Sequence, residues 1–265
     1  MPSGARLISI DESLARAVEA AGSDLADVVE TALLRHLDTP LTVHPAPGRA
    51  TDTSTLSGAF LKALLDRDGS AARAVVQAAV ATGVETGDLY AEIFQPALAE
   101  VGHLWAMGEI NVAEEHFATA LTQGLIAELR PLVKPDGGRL AIVTSTPDEL
   151  HQLGAQMVAD LLAREGWEVL SLGAATPAAD LLELVERECP DVVALSVTTA
   201  GRLPGLGDVL EGLHASDPRP FIVVGGALLR EPAASHARDL GADLVVTDVR
   251  ALVPALRERF PPEAD

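Results

Sequence analysis

Residues 139–173 read RLAIVTSTPDELHQLGAQMVADLLAREGWEVLSLG, and this stretch decides the fold. It opens with the apolar run RLAIVTS and closes with a second apolar run, WEVLSLG. Between the two lies a polar loop, followed by LGAQMVADLLAREG, in which apolar residues recur at helical spacing. A strand, a helix and a second strand in this order predict two parallel strands joined by a helical crossover.

The same alternation continues toward the end of the chain. Further strand candidates are VVALSVT (192–198), FIVVGG (221–226) and DLVVTD (243–248), and AADLLELVEREC (178–189) has helical spacing. Near-continuous apolar strands separated by helices indicate a parallel sheet covered on both faces. We therefore expect residues 139–265 to form an α/β domain with a doubly wound, flavodoxin-like sheet of five parallel strands. Such sheets bind ligands beyond the carboxyl ends of their strands.

The region before this domain is predicted to be helical. Residues 55–130 contain four segments with apolar residues three to four positions apart, which suit a four-helix-bundle cap. Residues 131–138 (PLVKPDGG) form a tight break between the cap and the α/β domain. Residues 39–54 are rich in Pro, Thr and Gly and lack apolar periodicity, so they are predicted to be a linker.

The first 38 residues resemble the ribbon-helix-helix family, with one strand candidate (RLISI, 6–10) and two short helices. In that family two copies pair their strands, so the resemblance implies a homodimer. The strand residues that would face DNA are Ala5, Leu7 and Ser9, which cannot make a bidentate base contact. Three basic and seven acidic residues give residues 1–38 a net charge of −4. We expect a dimerisation segment that does not bind DNA.

Composition limits the class of protein. The chain has 265 residues, is 48% hydrophobic and carries a formal net charge of −20. A chain this acidic repels phosphate backbones at long range, and no cluster of Lys or Arg offsets that repulsion. No signal peptide and no apolar run of about 20 residues is visible, so we expect a cytoplasmic protein without a membrane partner. The single cysteine, Cys189, is expected to be a small buried residue.

The loop after the first predicted strand carries the clearest chemistry. His151 can offer a ring nitrogen to a metal, and Glu149 can bond the other ring nitrogen, which fixes the tautomer and raises the basicity of the ligand. Gly154 allows a backbone or a ring system to come close. Taken alone, this hexapeptide is more typical of an exposed loop histidine near a helix N-terminus, but its context favours a ligand site.

That context is a set of motifs in chain order, each similar to a motif of cobalamin-binding domains. The domain family has D/E-x-H-x-x-G, then S-x-L or S-x-T after the third strand, then paired glycines after the fourth. The matching residues here are Glu149, His151, Gly154, Ser196, Thr198, Gly225 and Gly226. The resemblance implies cobalamin as the cofactor and His151 as the lower cobalt ligand. It also implies a hydroxyl contact from Ser196 and a close approach of the paired glycines to the nucleotide tail.

The predicted cap carries a second resemblance. Trp105 is followed by nine residues and then by Glu115 and His116, and this W-x9-EH spacing is similar to the cap of the CarH-type light-sensing cobalamin regulators. The resemblance implies that Trp105 covers the upper face of the corrin and that Glu115 and His116 lie near an adenosyl group. Val112 occupies the matching apolar position. The expected cofactor is therefore adenosylcobalamin, with an indole that excludes water and a Glu-His pair that can bond a ribose.

The chain departs from those regulators in two ways. The residue after the tryptophan is Ala106 where the family has a histidine that can bind cobalt after illumination, so the resemblance does not extend to that ligand. His103 is a reserve ligand, because a helix could bring it to the face of Ala106. The winged helix usual in that family is also not seen. A related branch, the photocobilins, lacks it too and binds a bilin, so a bilin is a second candidate cofactor.

The sequence thus predicts a sensor: a homodimer that binds adenosylcobalamin, responds to light and passes the signal to an unknown protein partner. A corrinoid methyl carrier of a methyltransferase system is the first alternative, since it shares the layout of cap and sheet. A DNA-binding repressor that uses the first 38 residues is the second. No substrate pocket beyond the corrinoid site is evident, so the chain is not expected to be an independent enzyme.

Overall fold

A computed structural model describes residues 52–261, except residues 131–134, 136–137, 200–202, 228 and 230–232. The described residues belong to one compact unit, residues 50–265. The predicted dimerisation segment, residues 1–38, and nearly all of the predicted linker lie outside the described residues.

Four helical stretches form the cap, as predicted. They are α1 (Thr53–Leu65), α2 (Gly69–Ala81), a composite third stretch and α5 (Val112–Leu129). The first helix starts at Thr53 because the Asp52 side chain accepts a hydrogen bond from the backbone N–H of Ser54 at 3.1 Å. The segment 39–54 was therefore predicted two residues too long as a linker, since Thr53 and Ser54 belong to α1.

The third stretch is not one regular helix. It consists of a short α3 (Thr86–Asp88), a π-helix (Leu89–Phe94) and α4 (Gln95–Ala106). Pro96 explains the change, because it lacks an N–H to donate to the carbonyl of Glu92 and its ring would clash with that carbonyl. The backbone N–H of Gln95 instead bonds the carbonyl of Tyr90, five residues earlier.

The α/β domain has the predicted five-stranded parallel sheet, in the order β2-β1-β3-β4-β5. This is the flavodoxin-like order, with a switch point between β1 and β3. The strands are β1 (Leu140–Ser145), β2 (Glu168–Gly173), β3 (Val192–Ser196), β4 (Phe221–Gly225) and β5 (Leu244–Val246). The helices are α6 (Leu153–Arg164), α7 (Ala178–Glu188), α8 (Leu203–Ala215), α9 (Ala233–Asp239) and α10 (Leu252–Arg259), with a 3₁₀ turn, Val249–Ala251, before α10.

Alternation along the strands divides the apolar residues between the two faces of the sheet. Ile142 and Leu195 pack in one core with α7 and α8, and Val143 and Ala194 pack in another with α6 and α10. Each fully buried aliphatic side chain contributes about 1.5–3 kcal/mol of transfer free energy, so both layers are held mainly by burial. None of the helices in the described ranges is long and apolar enough to cross a membrane.

Cys189 corrects one expectation from the sequence. It is exposed and not buried, and it ends α7 with a left-handed backbone, φ 47°. A residue that ends a helix in this conformation lies in the turn that leads to the next strand, and here its side chain faces solvent.

The cap packs directly on α6. Met157 and Leu161 of α6 belong to the same buried cluster as Phe60, Leu125 and other cap residues. Helix α6 therefore has two apolar sides, one toward the sheet and one toward the cap. Because α6 starts just after the loop that holds His151, this packing positions the cap relative to that loop.

Candidate functional site

The loop between β1 and α6, residues 146–152, is the His151 loop. It lies at the carboxyl end of β1, beside the switch point of the sheet. The backbone N–H of Thr146 donates to the carbonyl of Ser196 at 2.9 Å, which ties the start of the loop to the end of β3. The Ser145 hydroxyl donates to the carbonyl of His151 at 2.8 Å. The loop is thus fixed by the ends of two neighbouring strands.

Glu149 and His151 form the predicted pair. The Nδ1 atom of His151 lies 2.5 Å from Oε1 of Glu149, and the backbone N–H of His151 donates to the same oxygen at 3.1 Å. A carboxylate only accepts, so Nδ1 carries the proton, and in the neutral imidazole Nε2 keeps a free lone pair. The His151 side chain is 62% exposed, whereas Glu149 is 1% exposed. The pair therefore presents a metal-binding nitrogen to solvent on a buried carboxylate support.

The second oxygen of Glu149 holds a different loop. Oε2 accepts hydrogen bonds from the backbone N–H groups of Thr198 at 3.0 Å and Thr199 at 3.2 Å. Burial by itself raises the pKa of the Glu149 carboxyl, but the hydrogen bonds from His151 and Thr198 outweigh burial and leave its pKa below the ordinary value. Glu149 is therefore ionised at neutral pH and connects the His151 loop to the loop after β3.

Two non-glycine residues with positive φ flank this carboxylate. Asp148 has φ 61° and directly precedes Glu149. Ala175 has φ 55°, and its backbone N–H donates to the carbonyl of Glu149 at 3.0 Å. A left-handed conformation is costly for alanine, and such positions cluster where a site fixes its geometry. Neighbouring contacts therefore hold Asp148 and Ala175 in a backbone conformation that these residues would not adopt by themselves.

The predicted glycines lie close to neighbouring protein atoms, and a Cβ would collide at Gly226 and be crowded at Gly154. A Cβ at Gly154 would lie 3.1 Å from the Ser196 hydroxyl oxygen. Gly226 has φ 131°, and a Cβ there would lie 2.0 Å from the carbonyl oxygen of Val197. A Cβ at Gly225 would lie 3.4 Å from the carbonyl oxygen of Val246. Glycine at these positions therefore allows the loops after β1, β3 and β4 to pack closely at the carboxyl edge of the sheet.

Helix α5 rises past the His151 loop, and two contacts set its height. The side-chain amide of Gln156 in α6 donates to the carbonyl of Gln123 at 3.3 Å, and Arg164, near the end of α6, donates to the carbonyl of Leu129. The two helices therefore run in the same direction. Eleven residues precede Gln123 in α5, but only three precede Gln156 in α6. At 1.5 Å per residue, α5 extends about 12 Å beyond the start of α6.

The projecting part of α5 carries the predicted cap residues on one flank. Val112, Glu115, His116 and Thr119 follow the i, i+3, i+4, i+7 spacing of one helix flank, and we call this flank the α5 wall. Glu115 accepts a hydrogen bond from the Thr119 hydroxyl at 2.8 Å, and its Oε2 lies 3.6 Å from Nε2 of His116. The His116 side chain is 74% exposed.

Trp105 lies near the end of α4 and does not belong to the core. It is 50% exposed, and Met107, Val112 and Leu150 are exposed as well. These are four of the five large apolar residues that are exposed in the described ranges. Leu150 lies in the His151 loop, and we call the other three, Trp105, Met107 and Val112, the cap edge. Open apolar surface concentrated in this way marks a binding site.

His103, the reserve ligand, is on the same helix as Trp105 but on a different flank. His103 is exposed on α4, two residues before Trp105. Residues two apart on a helix point about 160° away from each other, because each residue turns the helix by 100°. His103 and Trp105 therefore occupy opposite flanks of α4, with the buried Leu104 between them. In this conformation Trp105 and His103 do not face the same ligand.

Sequence reasoning missed the partners that hold the predicted residues. Thr199, Ala175 and Ser145 bond Glu149 or the His151 loop, and Thr119 completes the α5 wall. Most of these contacts use backbone groups, which any residue could supply, so no motif identifies them. Thr119 alone had a signal, since it stands four residues after Glu115 on a helix.

Comparison with known proteins agrees with this geometry. Residues 139–257 match the family model of the B12 binding domain, and residues 56–130 match a second family model with the same description. The chain is therefore a cobalamin-binding protein, as the two resemblances in its sequence implied. It belongs to the family of proteins with B12 binding domains, whose members include both CarH-type regulators and corrinoid proteins.

Three similar proteins illustrate the family. The HTH-type transcriptional repressor CarH of Myxococcus xanthus is 31% identical over 144 residues, which are 54% of this chain and 48% of the repressor. The chain thus spans about half the length of that relative. The trimethylamine corrinoid protein of Methanosarcina barkeri is 28% identical over 191 residues, 69% of this chain and 86% of that protein. The structure of the Methanosarcina barkeri monomethylamine corrinoid protein superposes with a TM-score of 0.64 at 16% identity, covering 79% of this chain and 100% of that one.

The residues present fit a corrinoid. His151 offers Nε2 as a lower ligand from an exposed side chain at the carboxyl edge of the sheet. The α5 wall and Trp105 offer apolar and hydrogen-bonding groups on the other side. A single protein ligand is enough for a metal whose other ligands come from a macrocycle.

Proposed function

We propose that this protein is an adenosylcobalamin-dependent photosensor that regulates a partner in response to light. The observation that carries the proposal is the composition of the cap edge. An exposed indole, Trp105, lies beside a helix whose projecting end presents Val112 and the adjacent Glu115 and His116. An apolar plate next to two hydrogen-bonding groups suits an upper ligand with both a flat base and a ribose.

The chain's own residues have separable tasks in this proposal. His151 binds cobalt through Nε2, and Glu149 keeps the proton on Nδ1. Trp105 and Val112 exclude water from the upper face, and Glu115 and His116 bond the ribose. When bound, adenosylcobalamin supplies a cobalt–carbon bond that light can break. Loss of the upper ligand would uncover the cap edge, and the partner would detect that change.

An absorption spectrum before and after green light tests the proposal. The purified chain is loaded with adenosylcobalamin in the dark, and the expected result is a spectral change on illumination that does not reverse in the dark. Methylcobalamin and hydroxocobalamin are measured in parallel for affinity. Tightest binding of adenosylcobalamin supports the sensor. A spectrum that does not change under light overturns it.

A corrinoid methyl carrier is the second candidate. Its support is the alignment with the trimethylamine corrinoid protein, which covers 86% of that relative, more than the share of CarH that is covered. A carrier must expose the upper face to its methyltransferases, so it should bind methylcobalamin at least as tightly as adenosylcobalamin. Tighter binding of methylcobalamin than of adenosylcobalamin would favour the carrier.

We further propose that the chain works as a homodimer in the cytoplasm, through residues 1–38, without binding DNA and without catalysing a reaction of its own. Its support is the strand–helix–helix pattern and the net charge of −4 in that segment. Deleting residues 1–38 should lower the mass measured by light scattering while cobalamin binding persists. Sequence-selective DNA binding in a mobility shift assay would instead favour the repressor. A bilin as second cofactor would show as an extra visible absorption band in protein expressed with a bilin supply.

A further inference from the structure

A small buried network joins the three helices that hold the candidate site. Tyr90 of the π-helix is fully buried, and its hydroxyl donates to Oδ2 of Asp160 in α6 at 2.8 Å. The same oxygen accepts from Nε of Arg164 at 2.7 Å. Arg164 also donates to the carbonyl of Leu129, near the end of α5. Three side chains thus connect the π-helix, α5 and α6 at one point.

Each connected element carries one part of the site. The π-helix continues directly into α4, which holds Trp105. Helix α5 carries the α5 wall at its far end, and α6 begins just after the His151 loop. Asp160 is therefore connected through packed helices to the elements that carry Trp105, the α5 wall and the His151 loop.

The π-helix is also held from its outer side. Nη1 of Arg250, in the 3₁₀ turn after β5, lies 2.6 Å from Oε1 of Glu92 and 3.3 Å from Oδ1 of Asp88. Arg250 is itself fixed by Asp248, with Nη2 2.6 Å from Oδ2. Asp88, Tyr90 and Glu92 thus attach one irregular turn to two separate parts of the α/β domain. Such a turn fixes the direction in which α4 leaves it.

The buried carboxylate is an unusual choice for simple packing. Asp160 is 2% exposed, and its Oδ1 has no hydrogen bond among the described residues. A buried ion pair is poor evidence of added stability, because apolar residues of similar volume often stabilise as well or better. Buried polar groups with directional partners do fix one arrangement of the elements that they join. The network is therefore better suited to setting geometry than to adding stability.

We propose that Asp160, with Tyr90 and Arg164, is a positioning network that sets the height of Trp105 and of the α5 wall above His151, and thereby selects the size of the upper cobalt ligand. This inference rests on the proposed function, because it assigns the selected ligand to the upper face. Loosening the network should change the preference among upper ligands while the lower ligand stays as it is.

The test uses the full chain and Tyr90→Phe, which removes one hydroxyl and keeps the ring. The control is Asp243→Asn, which weakens a comparable contact at the amino end of the sheet, where Asp243 bonds Arg219 at 2.9 Å and the N–H of Ile222 at 2.8 Å. Affinities for adenosylcobalamin and hydroxocobalamin are measured for each protein. We expect Tyr90→Phe to lower the ratio of the two affinities at least about fivefold. Asp243→Asn should keep the parent's ratio even if its melting temperature falls.

A second measurement needs no cofactor. In a Trp167→Phe background, Trp105 is the remaining tryptophan, and iodide quenching reports its exposure. Tyr90→Phe should change the quenching of Trp105, whereas Asp243→Asn should not. An unchanged ratio, or an equal loss of both affinities, would overturn the positioning role. If the parent itself shows no preference for adenosylcobalamin, the proposed function fails, and the quenching comparison still decides whether the network positions Trp105.

Discussion

The His151 loop and the α5 wall differ in how completely their polar groups are bonded. Both oxygens of Glu149 are hydrogen-bonded, and the carboxylate is 1% exposed. On the α5 wall, His116 is 74% exposed, and its charged neighbour Glu115 is 3.6 Å away. Trp105 and Val112 are each about half exposed. The lower side is complete within the protein, whereas the upper side presents open surface.

This difference assigns different energetic tasks to the two sides. A lower ligand that is already oriented loses little conformational entropy when it binds metal, so it contributes mainly affinity. Open apolar surface gains free energy only when a ligand covers it, so the upper side contributes mainly selectivity. Substitutions on the two sides should therefore change different quantities, and each prediction below tests that separation.

The largest effect is expected for His151→Ala. Removing the imidazole should abolish the absorption spectrum of a nitrogen-ligated lower face and weaken cobalamin binding by about 100-fold or more, since outer-shell changes alone cost 10- to 100-fold. Binding is measured by spectral titration. His236→Ala, an exposed histidine on α9, is the matched control and should behave like the parent. Parent-like spectrum and affinity in His151→Ala would remove this residue from the cobalt site.

Glu149→Gln should have the next largest effect. An amide can still accept a hydrogen bond, but its bond to Nδ1 is weaker, so affinity should fall about tenfold with the nitrogen-ligated spectrum retained in part. Thr199→Ala is the control, because its backbone N–H remains and only a long 3.4 Å hydroxyl contact is lost. Equal effects of the two substitutions would show that the carboxylate has no special role.

The lowered pKa of Glu149 predicts that the stability difference between the parent and Glu149→Gln depends on pH. The pKa of Glu149 in the folded protein is below its ordinary value of 4.5, so its ionised form stabilises the fold. That contribution is fully present above pH 4.5 and is lost as pH falls through the lowered pKa. The difference in unfolding free energy between parent and Glu149→Gln, measured by urea denaturation, should therefore be largest near neutral pH and shrink below pH 4.5. A difference that grows on acidification would contradict the assignment.

The fold could be predicted from the sequence because strands and helices each have a characteristic spacing of apolar residues. Apolar runs such as RLAIVTS and FIVVGG identify strands buried on both faces, and their order along the chain defines the sheet. The π-helix had no such signal, because LYAEIFQP has the apolar spacing of an ordinary helix and only the missing N–H of Pro96 alters it.

The site was predictable where side chains do the chemistry and not where the backbone does. Glu149 and His151 are two residues apart, so their contact follows from the sequence alone. The backbone N–H of Thr199 donates a hydrogen bond to Glu149, 50 residues earlier in the chain. Every residue except proline has such an N–H, so the sequence does not indicate this contact. The height of the α5 wall follows from packing between α5 and α6, which requires the tertiary structure.

Trp105→Ala tests the upper side alone. Losing the indole should weaken binding of adenosylcobalamin by about fivefold. The reason is that a ligand which buries the exposed half of an aromatic side chain gains about 1 kcal/mol of binding free energy. The lower-ligand spectrum should not change. Trp105→Phe, which keeps an aromatic face, should recover most of the affinity. If Trp105→Ala changes the lower-ligand spectrum as strongly as it changes affinity, the two sides are not separable.

The smallest effect, and one that tests how the lower side is held, is expected for Ala175→Gly. Ala175 has φ 55°, which costs an L-residue with a Cβ roughly 1–2 kcal/mol and costs glycine almost nothing. Glycine also raises the conformational entropy of the unfolded chain, which reduces the gain in stability by about 0.4–1 kcal/mol. The net change is a stabilisation of about 0.5–1 kcal/mol, visible as a rise of a few degrees in melting temperature.

Asp148→Gly is the comparison, because Asp148 has φ 61° but aspartate tolerates this conformation better, so its gain should be smaller. Cobalamin affinity should stay within about twofold in both variants, since the backbone N–H of residue 175 still bonds the carbonyl of Glu149. A loss of affinity in Ala175→Gly without a loss of stability would mean that the alanine at this position limits the motion of Glu149, and the lower side would then be held by local rigidity as well as by hydrogen bonds.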